Sequence, residues 1–68
     1  MKNTVKEFGK KIKEIRLKKE MSQADVAKIL GVHPTYISGI ERGLRNPSLL
    51  TMEKISKALN VSIGELVK

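Results

Sequence analysis

Cysteine is absent from this 68-residue chain. No disulfide can staple it and no thiolate can hold a metal. A domain this small must then rest on packed helices or on a partner subunit. Tryptophan is absent too, and Phe8 and Tyr36 are the only aromatic residues. Two rings make a poor platform for stacking successive single-stranded bases. No apolar run approaches the ~20 residues of a membrane span, and no stretch resembles a signal peptide. These features lead us to expect a cytoplasmic protein. The single histidine, His33, has no carboxylate cluster or nucleophile near it in the sequence. One imidazole alone is neither a metal site nor a catalytic pair, so neither an enzyme, a metal nor a cofactor is expected.

What the chain does have is positive charge. Fourteen Lys and Arg face seven Asp and Glu, for a net charge of +7 and a pI near 10.0. The charge is uneven. Residues 1–20 hold eight cations against Glu7, Glu14 and Glu20, and residues 42–68 hold five against Glu53 and Glu65. Residues 21–41 hold only Lys28 against Asp25 and Glu41. Such a balance points to a polyanionic partner, nucleic acid before membrane; the alternative is a merely solvated lysine-rich surface.

Apolar spacing is helical throughout, and no strand pattern or repeat is evident. Val5, Phe8, Ile12 and Ile15 recur at three- and four-residue steps, which predicts a helix over about residues 4–19 opened by a Thr4–Glu7 capping box. Leu17 lies off that stripe. Gly9 either weakens this helix or marks a close packing contact. Met21 is expected in the core. Ser22 and Asp25 form a shorter capping box ahead of a second helix, with Val26, Ala27 and Leu30 inward. Gly31 suits a left-handed helix end, and Val32 is expected to be buried. Pro34 suits the first position of a third helix, about 34–42, with His33 as its cap, Ile37 and Ile40 inward, and Gly43 ending it. Its expected outer face is Thr35, Tyr36, Ser38, Gly39 and Arg42. Ser48 should cap a fourth helix, roughly 49–59, with Leu49, Met52, Ile55 and Leu59 inward and Asn60 as its stop. Ser62 and Glu65 open a last short helix carrying Ile63, Leu66 and Val67.

The run from Ser22 to Gly43, Ser-Gln-x-x-Val-Ala-x-x-Leu-Gly-Val-x-Pro-x-Tyr-Ile-Ser-x-Ile-Glu-Arg-Gly, resembles the helix-turn-helix family of Cro and the lambda-type repressors, also called the XRE family. The resemblance extends over nearly the whole chain, including the segment from Asn46 to Ser62. It implies an all-α, compact five-helix, lambda-repressor-like DNA-binding domain. More narrowly, Tyr-Ile-Ser-Gly-Ile-Glu-Arg-Gly-x-Arg-Asn is similar to the small controller proteins of restriction–modification systems.

In such a domain the second helix of the motif enters the DNA major groove with its first residues at the base edges. The candidates for base reading here are His33, Pro34, Thr35, Tyr36, Ser38 and Gly39. None carries a full charge at neutral pH, and Pro34 stands where other family members place Gln or Arg. Gln23, at a helix start, is a candidate phosphate contact or simply a helix-start residue. Arg42, Arg45 and Asn46 could reach the backbone on the other flank. Tyr36 could give its hydroxyl to a phosphate or serve as a half-buried packing ring. By resemblance, Arg16 and Glu41 form a buried or half-buried ion pair joining the first and third helices.

One reading helix covers few base pairs, and the family meets this with symmetric dimers on half-sites ~34 Å apart. Ile63, Leu66 and Val67 are the candidate dimer surface, with Ile63 and Leu66 also expected to help close the monomer core, and Ile29 and Leu50 as further apolar residues off their inward stripes. The expected partners are double-stranded DNA and a second copy of the chain, with no membrane and no small-molecule ligand. Residues 1–68 are read as one domain. The function implied is a sequence-specific transcriptional regulator of the restriction–modification controller or phage-repressor type. The alternative is an antitoxin-like protein-interaction module that also binds DNA.

Overall fold

The computed structural model describes residues 4–66. Within them the chain forms five helices: α1 (Thr4–Lys18), α2 (Gln23–Leu30), α3 (Pro34–Glu41), α4 (Leu49–Leu59) and α5 (Ile63–Leu66). There is no strand among the described residues. α1 and α2 both pack on α3, α2 also packs on α4, and α5 closes against α1 and α4.

Phe8 and Ile12 of α1, Val26 and Ala27 of α2, Ile37 and Ile40 of α3, Ile55 and Leu59 of α4, and Leu66 of α5 make the core. Ile15, Met21 and Leu30 pack around it. The stripes expected for α1, α2 and α3 are thus the buried ones. Leu17, Ile29 and Leu50, off those stripes, are exposed. α1 and α3 approach so closely that a Cβ on Gly9 would collide with the Ile40 carbonyl oxygen. Gly9 is the close packing contact, not a mere weakness in the helix.

Helix starts follow local capping chemistry. Asp25 N–H donates to Ser22 Oγ at 2.9 Å, and Ser22 N–H donates to Asp25 Oδ2 at 2.8 Å, closing a full capping box at α2. These contacts hold the Asp25 carboxyl below its usual range, the Ser22 backbone N–H first, its hydroxyl second, with Lys28 adding a smaller charge effect. Ser48 caps α4 through Thr51 N–H at 3.2 Å. α1 is helical from Thr4, the first described residue, as expected.

Helix ends follow one rule four times. After α1, α2, α3 and α4, a residue with positive φ is followed by an N–H that reaches five residues back. Met21 bonds the Arg16 carbonyl, Val32 the Ala27 carbonyl, Leu44 the Gly39 carbonyl and Val61 the Ser56 carbonyl, at 2.9–3.1 Å. This is the Schellman arrangement, which satisfies the last carbonyls of a helix. The residues in left-handed conformation are Glu20, Gly31, Gly43 and Asn60. Three were expected as stops. Glu20 was not, because no sequence feature marks a glutamate for positive φ.

Two expected core residues are outside. Val32 is 36% exposed, since its backbone N–H, not its side chain, is what the turn uses. Leu49 is 68% exposed, because burial of α4 starts only at Thr51 and its first residue extends past the core.

Candidate nucleic-acid interface

The third helix is held from behind by charge. Arg16 Nε donates to Glu41 Oε2 at 2.6 Å and Arg16 Nη2 donates to Glu41 Oε1 at 3.0 Å. Both side chains are buried. Arg16 Nη1 also donates to the Met21 carbonyl at 2.8 Å, and Gln23 Nε2 donates to Glu41 Oε1 at 3.0 Å. A buried carboxylate needs this degree of satisfaction to remain charged. The network ties the end of α1, the start of α2 and the end of α3 together. The family resemblance implied the ion pair but not the Gln23 and Met21 contacts. Gln23 is half-buried, and one amide hydrogen is engaged with Glu41.

Residues 35, 38, 39 and 42 share the outer side of α3, being spaced by three and four. His33, Pro34 and Thr35 are exposed at its start. His33 caps the helix: its Nδ1 accepts from Thr35 N–H at 3.2 Å and also lies 2.9 Å from Thr35 Oγ1. Tyr36 and Ser38 are half-buried.

Gly39 departs from the expectation of a groove-facing residue. It is buried although it lies on the outer row, because the Arg45 side chain covers it. A Cβ there would meet Arg45 Cγ at 3.0 Å. The Arg45 guanidinium lies over the Tyr36 ring, 5.6 Å from its centroid, within cation–π range. Arg45, expected on the flank, is therefore drawn onto α3 itself. It supplies a positive charge, which α3 itself lacks. Arg42 and Asn46 are exposed beyond the helix end. Lys6 and Lys10 of α1 line a shallow cleft with Arg42, Glu7 and Glu41, so part of the positive charge of α1 adjoins the exit of α3.

The residues expected to pair two copies divide three ways. Leu66 is 2% exposed and closes this chain's own core, so it is not free surface; α5 is so short that its one inward position is consumed by α1 and α4. Ile63 is half-buried. Val67 lies outside the described residues. The exposed large apolar side chains among the described residues are instead Leu49 and Leu50 at the start of α4, with Leu17, Ile29, Val32 and Leu44 elsewhere. Among the described residues no three His, Asp or Glu side chains gather to hold a metal ion, and no helix is long and apolar enough to cross a membrane.

A helix, a glycine turn and a second helix braced by a buried ion pair, with cations around an uncharged leading turn, define a helix-turn-helix domain. The chain belongs to the helix-turn-helix family, whose model matches residues 12–66. It is 54% identical over 61 residues to the control protein C.BamHI of Bacillus amyloliquefaciens, covering 88% of this chain and 75% of that protein. It is 42% identical over 61 residues to the transcriptional regulator SinR of Bacillus subtilis (strain 168), covering 88% of this chain but only 55% of SinR. Its fold matches the crystal structure of the restriction–modification controller protein C.Esp1396I, a tetramer in complex with its natural 35 base-pair operator. The TM-score there is 0.83 at 38% identity, over 100% of both chains.

Proposed function

We propose that this protein is a sequence-specific double-stranded DNA-binding transcriptional regulator that acts as a homodimer on a pseudo-palindromic operator, in the manner of restriction–modification controllers. The observation that carries the reading is the arrangement of α3. Its leading turn is exposed and uncharged, its back is locked by Arg16–Glu41, Arg42 caps its end and Arg45 lies along it. Phosphate contacts from the cations supply affinity, and the small polar groups of α3 supply base discrimination. The likeness to C.BamHI and to the operator-bound C.Esp1396I supports the controller assignment.

The remaining elements of the reading follow from this. Residues 1–68 act as one domain, without enzymatic activity or cofactor, in the cytoplasm where the DNA is. Arg42, Arg45 and Asn46 meet phosphates on one flank. Gln23 meets one at the start of α2, using the amide hydrogen that Glu41 does not engage. Exposed Leu49, Leu50 and Ile29, with Ile63, give apolar surface for self-association.

Selection of binding sites from random duplex DNA, followed by salt titration on the selected and on random duplexes, tests the proposal. A preferred inverted-repeat site with a steep salt slope is the expected result. Equal affinity for all duplexes would overturn sequence specificity. Sedimentation showing a monomer at high protein concentration would overturn the dimer.

A further inference from the structure

The start of α3 has an unusual hydrogen-bond polarity. Pro34 has no N–H, so the first free amide of the helix is that of Thr35, and it donates to His33 Nδ1 at 3.2 Å. A backbone N–H can only donate. That bond requires a lone pair and no proton on Nδ1, and so goes with the neutral tautomer that carries its proton on Nε2. Thr35 Oγ1 lies 2.9 Å from that same nitrogen. In that tautomer the Thr35 hydroxyl donates its one hydrogen to Nδ1, sharing the single lone pair with the Thr35 N–H. Thr35 is exposed, yet what its oxygen shows to the outside is lone pairs alone.

We propose that His33 fixes Thr35 as a hydrogen-bond acceptor and so makes Thr35 a specificity-determining residue that selects adenine or cytosine over guanine or thymine on one operator strand. The inference rests on the reading of α3 as a major-groove helix. In that groove adenine and cytosine present amino donors, at N6 and N4. Guanine offers O6 and N7, and thymine offers O4, all of them acceptors. A free threonine hydroxyl can rotate to serve either kind of edge. Here rotation would break the bond to Nδ1, so the choice is made before DNA arrives. The exposed His33 Nε2–H has the complementary polarity and meets an acceptor, a phosphate oxygen or a neighbouring keto edge.

The test compares sites selected from random duplex DNA by the wild type, Thr35→Val and His33→Gly. Valine keeps the shape and removes the oxygen, so the position whose preference collapses in T35V is the one Thr35 reads. There the wild type should favour adenine or cytosine by about tenfold, the scale of one hydrogen bond. Glycine is tolerated as a helix cap and frees the hydroxyl, so H33G should reduce that preference to about twofold or less. A wild-type preference for guanine or thymine there, or an undiminished preference in H33G, would overturn the proposal, as would a T35V site identical to the wild type's. A selection with no preferred site would overturn the DNA-reading function itself. Independently of DNA, nitrogen-15 shifts of the single imidazole should show the proton on Nε2 in the neutral ring; a proton on Nδ1 overturns the proposal even if H33G does not bind.

Discussion

Arg16 and Glu41, 25 residues apart, meet side by side through two hydrogen bonds of 2.6 and 3.0 Å in the interior of a chain of only 68 residues. Removing one partner strands the other. Glu41→Ala should cost about 3–5 kcal/mol, measured by urea unfolding. The joint replacement Arg16→Met with Glu41→Leu should lie much nearer the wild type, because two apolar groups of similar size leave no lone charge. Equal losses in the single and the joint variants would show that geometry, not charge pairing, is what the site supplies.

Glu20 carries φ of 56° at the end of α1, in the region where an L side chain is disfavoured by about 1–2 kcal/mol. Glycine has no such penalty but loses more chain entropy on folding. Glu20→Gly should therefore stabilise the protein by a net of about 0.5–1 kcal/mol. For a domain of this size that is a rise of several degrees in Tm. A thermal melt followed by circular dichroism checks it, and an unchanged or lower Tm would contradict the role assigned to this turn.

The Ser22–Asp25 box gives stability a defined pH dependence. The folded-state pKa of Asp25 is depressed, so its contribution is fully present above the ordinary value of 3.8, begins to fade as pH falls to that value and is lost below it, as pH falls through the folded-state pKa. The stability difference between the wild type and Asp25→Asn should thus be constant around neutrality and shrink on acidification. Denaturation curves of both proteins across pH 3–7 measure it, and a difference that grows toward low pH would have the wrong sign.

Arg45 and Gly39 act as one unit on α3. Arg45→Met keeps much of the side-chain cover over Gly39 while removing the charge. It should weaken DNA binding and reduce the slope of log affinity against log salt by about one. Gly39→Ala inserts a Cβ beneath Arg45 and should move binding in the same direction without deleting any charge. Fluorescence anisotropy at several salt concentrations distinguishes these from a fold defect, which circular dichroism would report. Unaltered affinity in both variants would return Arg45 to a bystander.

Much of this architecture was legible in the residues because it is local. The three- and four-residue spacing of Phe8, Ile12 and Ile15 sets the buried side of α1, and Ser22, Gly31, Ser48 and Asn60 mark helix ends by short-range chemistry. What escaped depends on contacts between distant parts of the chain. Leu49 has the right spacing for α4 but lies before the burial of that helix begins. Leu66 reads as shared between the core and a partner until α1 and α4 close over it. Gly39 looks outward until a loop residue six positions on lies across it. Gln23 reads as a helix start, and only the fold brings it to Glu41. Spacing reports which side of a helix a residue occupies. It does not report what arrives from elsewhere to cover that side.

The passage of Arg45 over Gly39 has a consequence for engineering. The surface that α3 presents is assembled from two stretches of chain, the helix and the loop that leaves it. Exchanging residues 33–39 with those of another regulator would carry over only part of its sequence preference. The transplant that should succeed is the whole of residues 33–46, glycine and arginine included, moved as a single cassette.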